Sequence, residues 1–186
     1  MNRYDDPLGI YHTVYAASTR YGALIETLAP LRPKPKIRLA EAEPGMRATP
    51  AAGTITNWLE RRHIGEARIS GVFVDIAASE SIAYLRHKLA DRFAALGTIE
   101  FDLSALTSAR RELTMEISRF IFELEFREQR RFDGICYPSR LGHNIMCWAI
   151  FEDDGHACLE DRASQPIDPA DKEIEQALRD SRITLG

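Results

Sequence analysis

Cysteine, glycine-rich loops and long apolar runs are all scarce in this chain, and each shortage removes a class of function. Only three cysteines occur in 186 residues, Cys136, Cys147 and Cys158, about ten positions apart and with no CxxC pair. A zinc site needs closely spaced ligand pairs, so reduced packing cysteines and no metal are expected. Neither GxGxxG nor a GK[ST] phosphate loop is present. Any nucleotide is therefore held by something other than a Rossmann or P-loop unit. No apolar stretch is long enough to cross a bilayer, and the opening MNRYDDPLG carries no secretion signal, so cytoplasm is the expected location. Acidic and basic residues number 28 and 24, a net charge of −4. That balance points to neither an anionic membrane nor direct nucleic-acid binding. The basic run from Arg127 to Arg131 is interrupted by Glu128 and Gln129 and reads as a solvated helix end.

What is present is the composition of a globular protein. The length suits a single domain over 1–186 with a sizeable core. Alternation predicts a strand from Tyr11 to Ala16, followed by a helix capped by Ser18, with Tyr21, Leu24, Ile25 and Leu28 inward and Pro30 as its stop. A proline-rich excursion occupies about 30–57. ISGVFVDI, 69–76, reads as one strand with a bulge at Gly71. A helix capped by Ser79 carries Ile82, Leu85, Leu89, Phe93 and Leu96 to the stop at Gly97. Another spans 108–124, with Leu113, Ile117, Phe120, Ile121 and Leu124 on its core face. Two strands, 134–138 and 147–151, make a hairpin-like pair, and Asp168-Pro169 opens a short helix at about 168–180. Strands and helices mix without regular βαβ alternation. The fold class expected is α+β, a compact mixed sheet flanked by helices.

Several residues carry possible chemistry, each with a plainer reading beside it. Arg3 can be a solvated terminal charge or a planar phosphate clamp. Tyr15, and with it Tyr4 and more weakly Tyr11, can pack in the core or stack on a flat ring. Glu26 falls off the apolar stripe of its helix, so it is either a solvated carboxylate or a charge bordering a cleft. In the second case it would steady an oxocarbenium-like cation, as carboxylates do in glycoside hydrolysis. Ser139 is a turn residue or a hydrogen-bond donor. No GxSxG elbow surrounds it, which disfavours a covalent nucleophile. Arg140 is a surface charge or an additional phosphate contact. His12 reads as structural, His63 and His87 fall in charged helical or loop contexts and His143 in the last turn, and Trp58 and Trp148 read as packing residues.

The ordered set RYDDP, TVYAAS, ALIETL, GVFVDI and DGICYPSRLGHNIMCWAIFE, with Arg3, Glu26 and Ser139 in sequence, resembles the RES family. The resemblance runs from Arg3 to about Glu152. It implies an ADP-ribosyltransferase-like α+β fold in which Arg3, Tyr15, Glu26 and Ser139 line a pocket for NAD, the substrate. It implies cleavage of the nicotinamide–ribose bond, with water or phosphate as acceptor, by a toxin restrained by an Xre-like antitoxin. Glu26, Arg3 and Tyr15 would be the catalytic group, and Arg3, Tyr4, Tyr15, Glu26 and Ser139 would contact NAD. Two alternatives accompany this reading: ADP-ribose transfer to a protein target, and an N-terminally shortened, non-catalytic member that acts as a binding partner. A homodimer is left open.

Overall fold

The computed structural model describes residues 2–33, 53–60, 62–98, 100–108, 110–126, 129–142, 144–152 and 159–186. Most of the proline-rich excursion, with His143, His156, Cys158, Arg127 and Glu128, lies outside them. The elements are β1 (His12–Ala17), α1 (Arg20–Leu28), β2 (Thr54–Ile55), β3 (His63–Ile69), β4 (Phe73–Asp75), α2 (Ser79–Lys88) and α3 (Ala90–Ala95). They continue with α4 (Leu103–Thr107), α5 (Arg111–Phe122), β5 (Glu125–Phe126), β6 (Gln129–Arg130), β7 (Gly134–Pro138), β8 (Met146–Glu152), β9 (Leu159–Pro166), α6 (Lys172–Ser181) and β10 (Thr184–Leu185). The class is α+β, with sheets flanked by helices. The chain divides into two compact units, residues 1–18 with 68–160, and residues 19–67 with 161–186.

The first unit is built on a four-stranded sheet in the order β1-β8-β7-β4. β8 is antiparallel to both neighbours, and β4 runs parallel to β7. Tyr15 and Ile135 flank Ala149, and Val74 lies beside Ile135. This register brings the C-terminal ends of β1, β4 and β7 to one end of the sheet. α5 packs on β7 and buries Leu113, Ile117 and Ile121. Beside it Tyr11, Phe122 and Phe151 cluster, with Tyr11 stacked on Phe122 at 4.2 Å and Phe151 edge-on to both. Gly134 is required where β7 meets β8, since a Cβ there would stand 2.3 Å from the Ala149 carbonyl oxygen.

Several expectations are corrected in this unit. Of the strand anticipated over 69–76 only Phe73–Asp75 forms β4, and β3 ends at Ile69, because Gly71 between them adopts φ +142°, a left-handed backbone suited to glycine. Asp133 fastens the break by accepting the Val72 N–H at 2.7 Å. The helix expected from Ser79 to Gly97 breaks at Leu89. Its cap position is Ala78, which makes no side-chain bond. Leu85, Leu89 and Phe93 nonetheless stay buried, so the apolar stripe survives the break. The helix expected over 108–124 forms as α5, Arg111–Phe122, and a short helix that was not expected, α4, precedes it, with Asp102 capping α4 by accepting Ala105 N–H at 2.9 Å. Phe120 and Leu124 are only half-buried.

In the second unit α1 packs on α6, burying Leu24, Ile25 and Leu28 on one helix and Ile174, Ala177 and Leu178 on the other. Arg20 pairs with Asp171 at 3.0 Å. Tyr21, expected inward, is half-buried and donates its hydroxyl to Asp180 at 2.7 Å. Thr19, not Ser18, caps α1 by accepting Gly22 N–H at 3.0 Å. Asp171, not Asp168, caps α6 by accepting Glu173 N–H at 2.8 Å. Asp168 instead closes the preceding turn through Ala170 N–H. α1 ends at Leu28 and a 3-10 turn, Ala29–Leu31, carries Pro30. β10 runs parallel to β2.

Candidate functional site

Arg3 and Tyr4 lie on an arm before β1 that is bound to the first unit largely by side chains. The Tyr4 N–H donates to the Tyr15 hydroxyl at 2.9 Å, and that hydroxyl donates to Asp5 Oδ1 at 2.9 Å. The Tyr4 carbonyl accepts from Ser118 Oγ at 2.8 Å and from Thr13 Oγ1 at 3.2 Å. Ser118 has one hydroxyl hydrogen, and it goes to Tyr4. The 2.7 Å contact between Tyr11 Oη and Ser118 Oγ is therefore a bond donated by Tyr11. Asp6, buried, accepts Ile10 N–H at 2.6 Å and closes the turn into β1.

The guanidinium of Arg3 donates to the Leu106 carbonyl, one of the last carbonyls of α4, which have no partner within their own helix. Its Cζ lies 5.6 Å from the centre of the Tyr4 ring, and its buried Nε has no hydrogen-bond partner among the described residues. Tyr4 is 1 % exposed and meets Tyr137 with ring centres 4.7 Å apart. Arg3, Tyr4, Ile76, Thr107, Tyr137 and Pro138 line a cavity of about 10 Å³ at the ends of β4 and β7. That is room for about one water.

Burial pushes the Tyr15 phenol well above its ordinary value, and the Asp5 carboxylate adds to the rise while the Tyr4 N–H opposes it. Burial likewise moves Tyr11 from 10.0 up to about 12. Both phenols are more protonated in the folded than in the unfolded chain. Their stabilisation is thus complete below about pH 10 and is lost as pH rises through the folded values. The urea midpoint should hold steady from pH 7 to about 9 and then fall, and Tyr11→Phe should flatten part of that alkaline slope. An unchanged slope in the variant would show that Tyr11 titrates as it does in the unfolded chain.

Ser139 follows the cavity wall at Pro138 and is 7 % exposed. Its N–H donates to the Ile145 carbonyl at 2.8 Å and its Oγ accepts Leu141 N–H at 2.9 Å, which folds the turn between β7 and β8. Arg140 is exposed. Glu26 is half-buried on α1, in the second unit. Arg3, Tyr4, Tyr15 and Ser139 thus share one unit, three of them linked through the arm. Tyr11 precedes β1 and belongs to the aromatic core.

Sequence reasoning missed Tyr137, Asp5 and Ser118. Tyr137 stood inside the YPSR word and could have been singled out there. An acidic pair before proline reads as a turn, and a serine on an apolar helix face carries no signal at all.

The described residues make an α+β protein with an arginine–tyrosine cavity at one end of its main sheet. The chain belongs to the RES domain family, whose model matches residues 1–172, a family generally of NAD-acting enzymes. No curated protein and no solved structure matches it. Among the described residues, no His, Cys, Asp and Glu side chains gather in a group able to hold a metal ion. None of the described helices is long and apolar enough to cross a membrane.

Proposed function

We propose that this chain cleaves the nicotinamide–ribose bond of NAD and is a toxin held in check by an Xre-like antitoxin. The observation that carries the reading is the Arg3 guanidinium, held over the Tyr4 ring with a buried Nε–H that has no acceptor among the described residues. Such a donor costs about 1–3 kcal/mol when unsatisfied, and an anionic oxygen of the substrate would satisfy it. Family membership supports NAD as that substrate.

Each residue then has a role. Arg3 holds a phosphate oxygen or the ribose side of the dinucleotide. The rings of Tyr4 and Tyr15 border the flat nicotinamide. Ser139 steadies its amide or a phosphate, and Glu26 stabilises the ribosyl cation. The bonding pair leaves with nicotinamide, which departs neutral and needs no acid. Water or phosphate then bonds to the ribose carbon and gives its proton to solvent.

Purified chain incubated with NAD, with and without phosphate, tests this directly. Nicotinamide should appear in step with NAD loss, accompanied by ADP-ribose or its phosphorylated form. NAD consumed only when a protein target is added, with a mass gain on that target, would replace hydrolysis by ADP-ribose transfer. Intact NAD in every mixture would overturn catalysis and leave a binding protein.

A further inference from the structure

The Tyr4 peptide is held by hydroxyls brought from β1 and α5, and these hydroxyls are committed to it. Ser118 is 0 % exposed, an unusual place for a serine unless it is bonded. Its single hydrogen goes to the Tyr4 carbonyl, while Tyr11 fills its lone pair from behind. The Tyr15 hydroxyl accepts the Tyr4 N–H and donates to Asp5. Asp5 in turn accepts the Asn2 N–H with its other oxygen. Both backbone polar groups of Tyr4 are thereby fixed, and with them the two peptide units that flank the ring lying against Tyr137, one of which carries Arg3.

We propose that Ser118 and the hydroxyl of Tyr15 are positioning groups that fix the Arg3–Tyr4 arm over its cavity. Neither hydroxyl then needs to touch the substrate. Tyr15 acquires a duty separate from its ring, and Ser118 acquires one from the opposite face of the arm. The kinetic consequence rests on the reading of Arg3 as a contact to NAD, whereas the anchoring does not.

Tyr15→Phe keeps the ring and removes only the hydroxyl; Ser118→Ala removes the other hold. Hydrogen exchange followed by mass spectrometry reads the arm itself. In both variants the peptide covering residues 2–8 should take up deuterium faster, with β7 and β8 unchanged. Nicotinamide release should fall about tenfold in kcat/KM, as expected when a buried acceptor or donor loses its partner. In an Arg3→Ala background the same substitutions should cost nothing more, because groups acting through one another are not additive. A hydroxyl of purely structural value would lower Tm without producing that non-additivity.

Unchanged exchange at residues 2–8 in Tyr15→Phe overturns the proposal, even if Ser118→Ala fails to fold. Tyr15→Phe with wild-type kinetics, in a protein that Arg3→Ala slows, overturns it as well. A wild-type chain that releases no nicotinamide instead defeats the NAD reading, and the exchange experiment still decides whether the arm is anchored this way.

Discussion

Bacteria expressing the Glu26→Ala variant should keep their NAD, while the unaltered chain should deplete it rapidly. The expected loss of rate is about a hundred- to a thousandfold, the usual cost of removing a fixed charge that faces developing charge in a transition state. The fold should tolerate the change. α1 buries Leu24, Ile25 and Leu28, and at 100° per residue Glu26 lies roughly 150° from the centre of that stripe. Half-buried and off the stripe, it is not part of the buried face of the helix. Thermal unfolding should therefore shift by about 2–4 °C at most, the equivalent of ~1 kcal/mol in a chain of this size. NAD content after induction and a melting curve check both halves. A much larger fall in Tm would make Glu26 structural, and undiminished NAD loss would remove it from the chemistry.

Phe151→Ala should be the most damaging change to stability. Phe151 is 0 % exposed and lies edge-on to Tyr11 at 4.9 Å and to Phe122 at 5.5 Å. Its truncation leaves a hole between β8 and α5, with an expected cost of about 3–5 kcal/mol. A domain has about 5–15 kcal/mol in total, so the variant should unfold at markedly lower urea. The effect should also reach the arm, because the cavity borders Tyr11, whose hydroxyl supports Ser118. Phe151→Leu, which refills most of the volume, should recover the greater part of the loss. A urea midpoint in Phe151→Ala close to that of the unaltered chain would show that the cluster repacks.

Where burial follows a simple period, the fold was legible. β7 and β8 were readable from their apolar runs, and the stripe Leu113, Ile117, Ile121 from its helical spacing. The stop at Gly97 was readable too, since its φ of +71° is a conformation glycine adopts without strain. Caps were misplaced by one to three residues. Ser18 and Thr19, or Asp168 and Asp171, are chemically equivalent candidates, and the choice depends on which N–H groups the helix leaves unpaired. β9, LEDRASQP, was not anticipated, because its ladder with β3 is made by backbone groups that polar side chains neither announce nor prevent.

By itself, the sequence determined the class of the fold and the family, and it nominated Arg3, Tyr4, Tyr15, Glu26 and Ser139 as candidates. Residue types and their order carry that much, since apolar periodicity selects faces and rare polar words survive in linear form. Only the tertiary structure decided what those residues hold. The Tyr4 peptide is bonded to Ser118 across 114 positions of chain, and Arg3 reaches the Leu106 carbonyl across 103. Bonds of that span exist only once the sheet and α5 have packed, because hydrogen-bond geometry is a property of three-dimensional placement that no local pattern of side chains encodes.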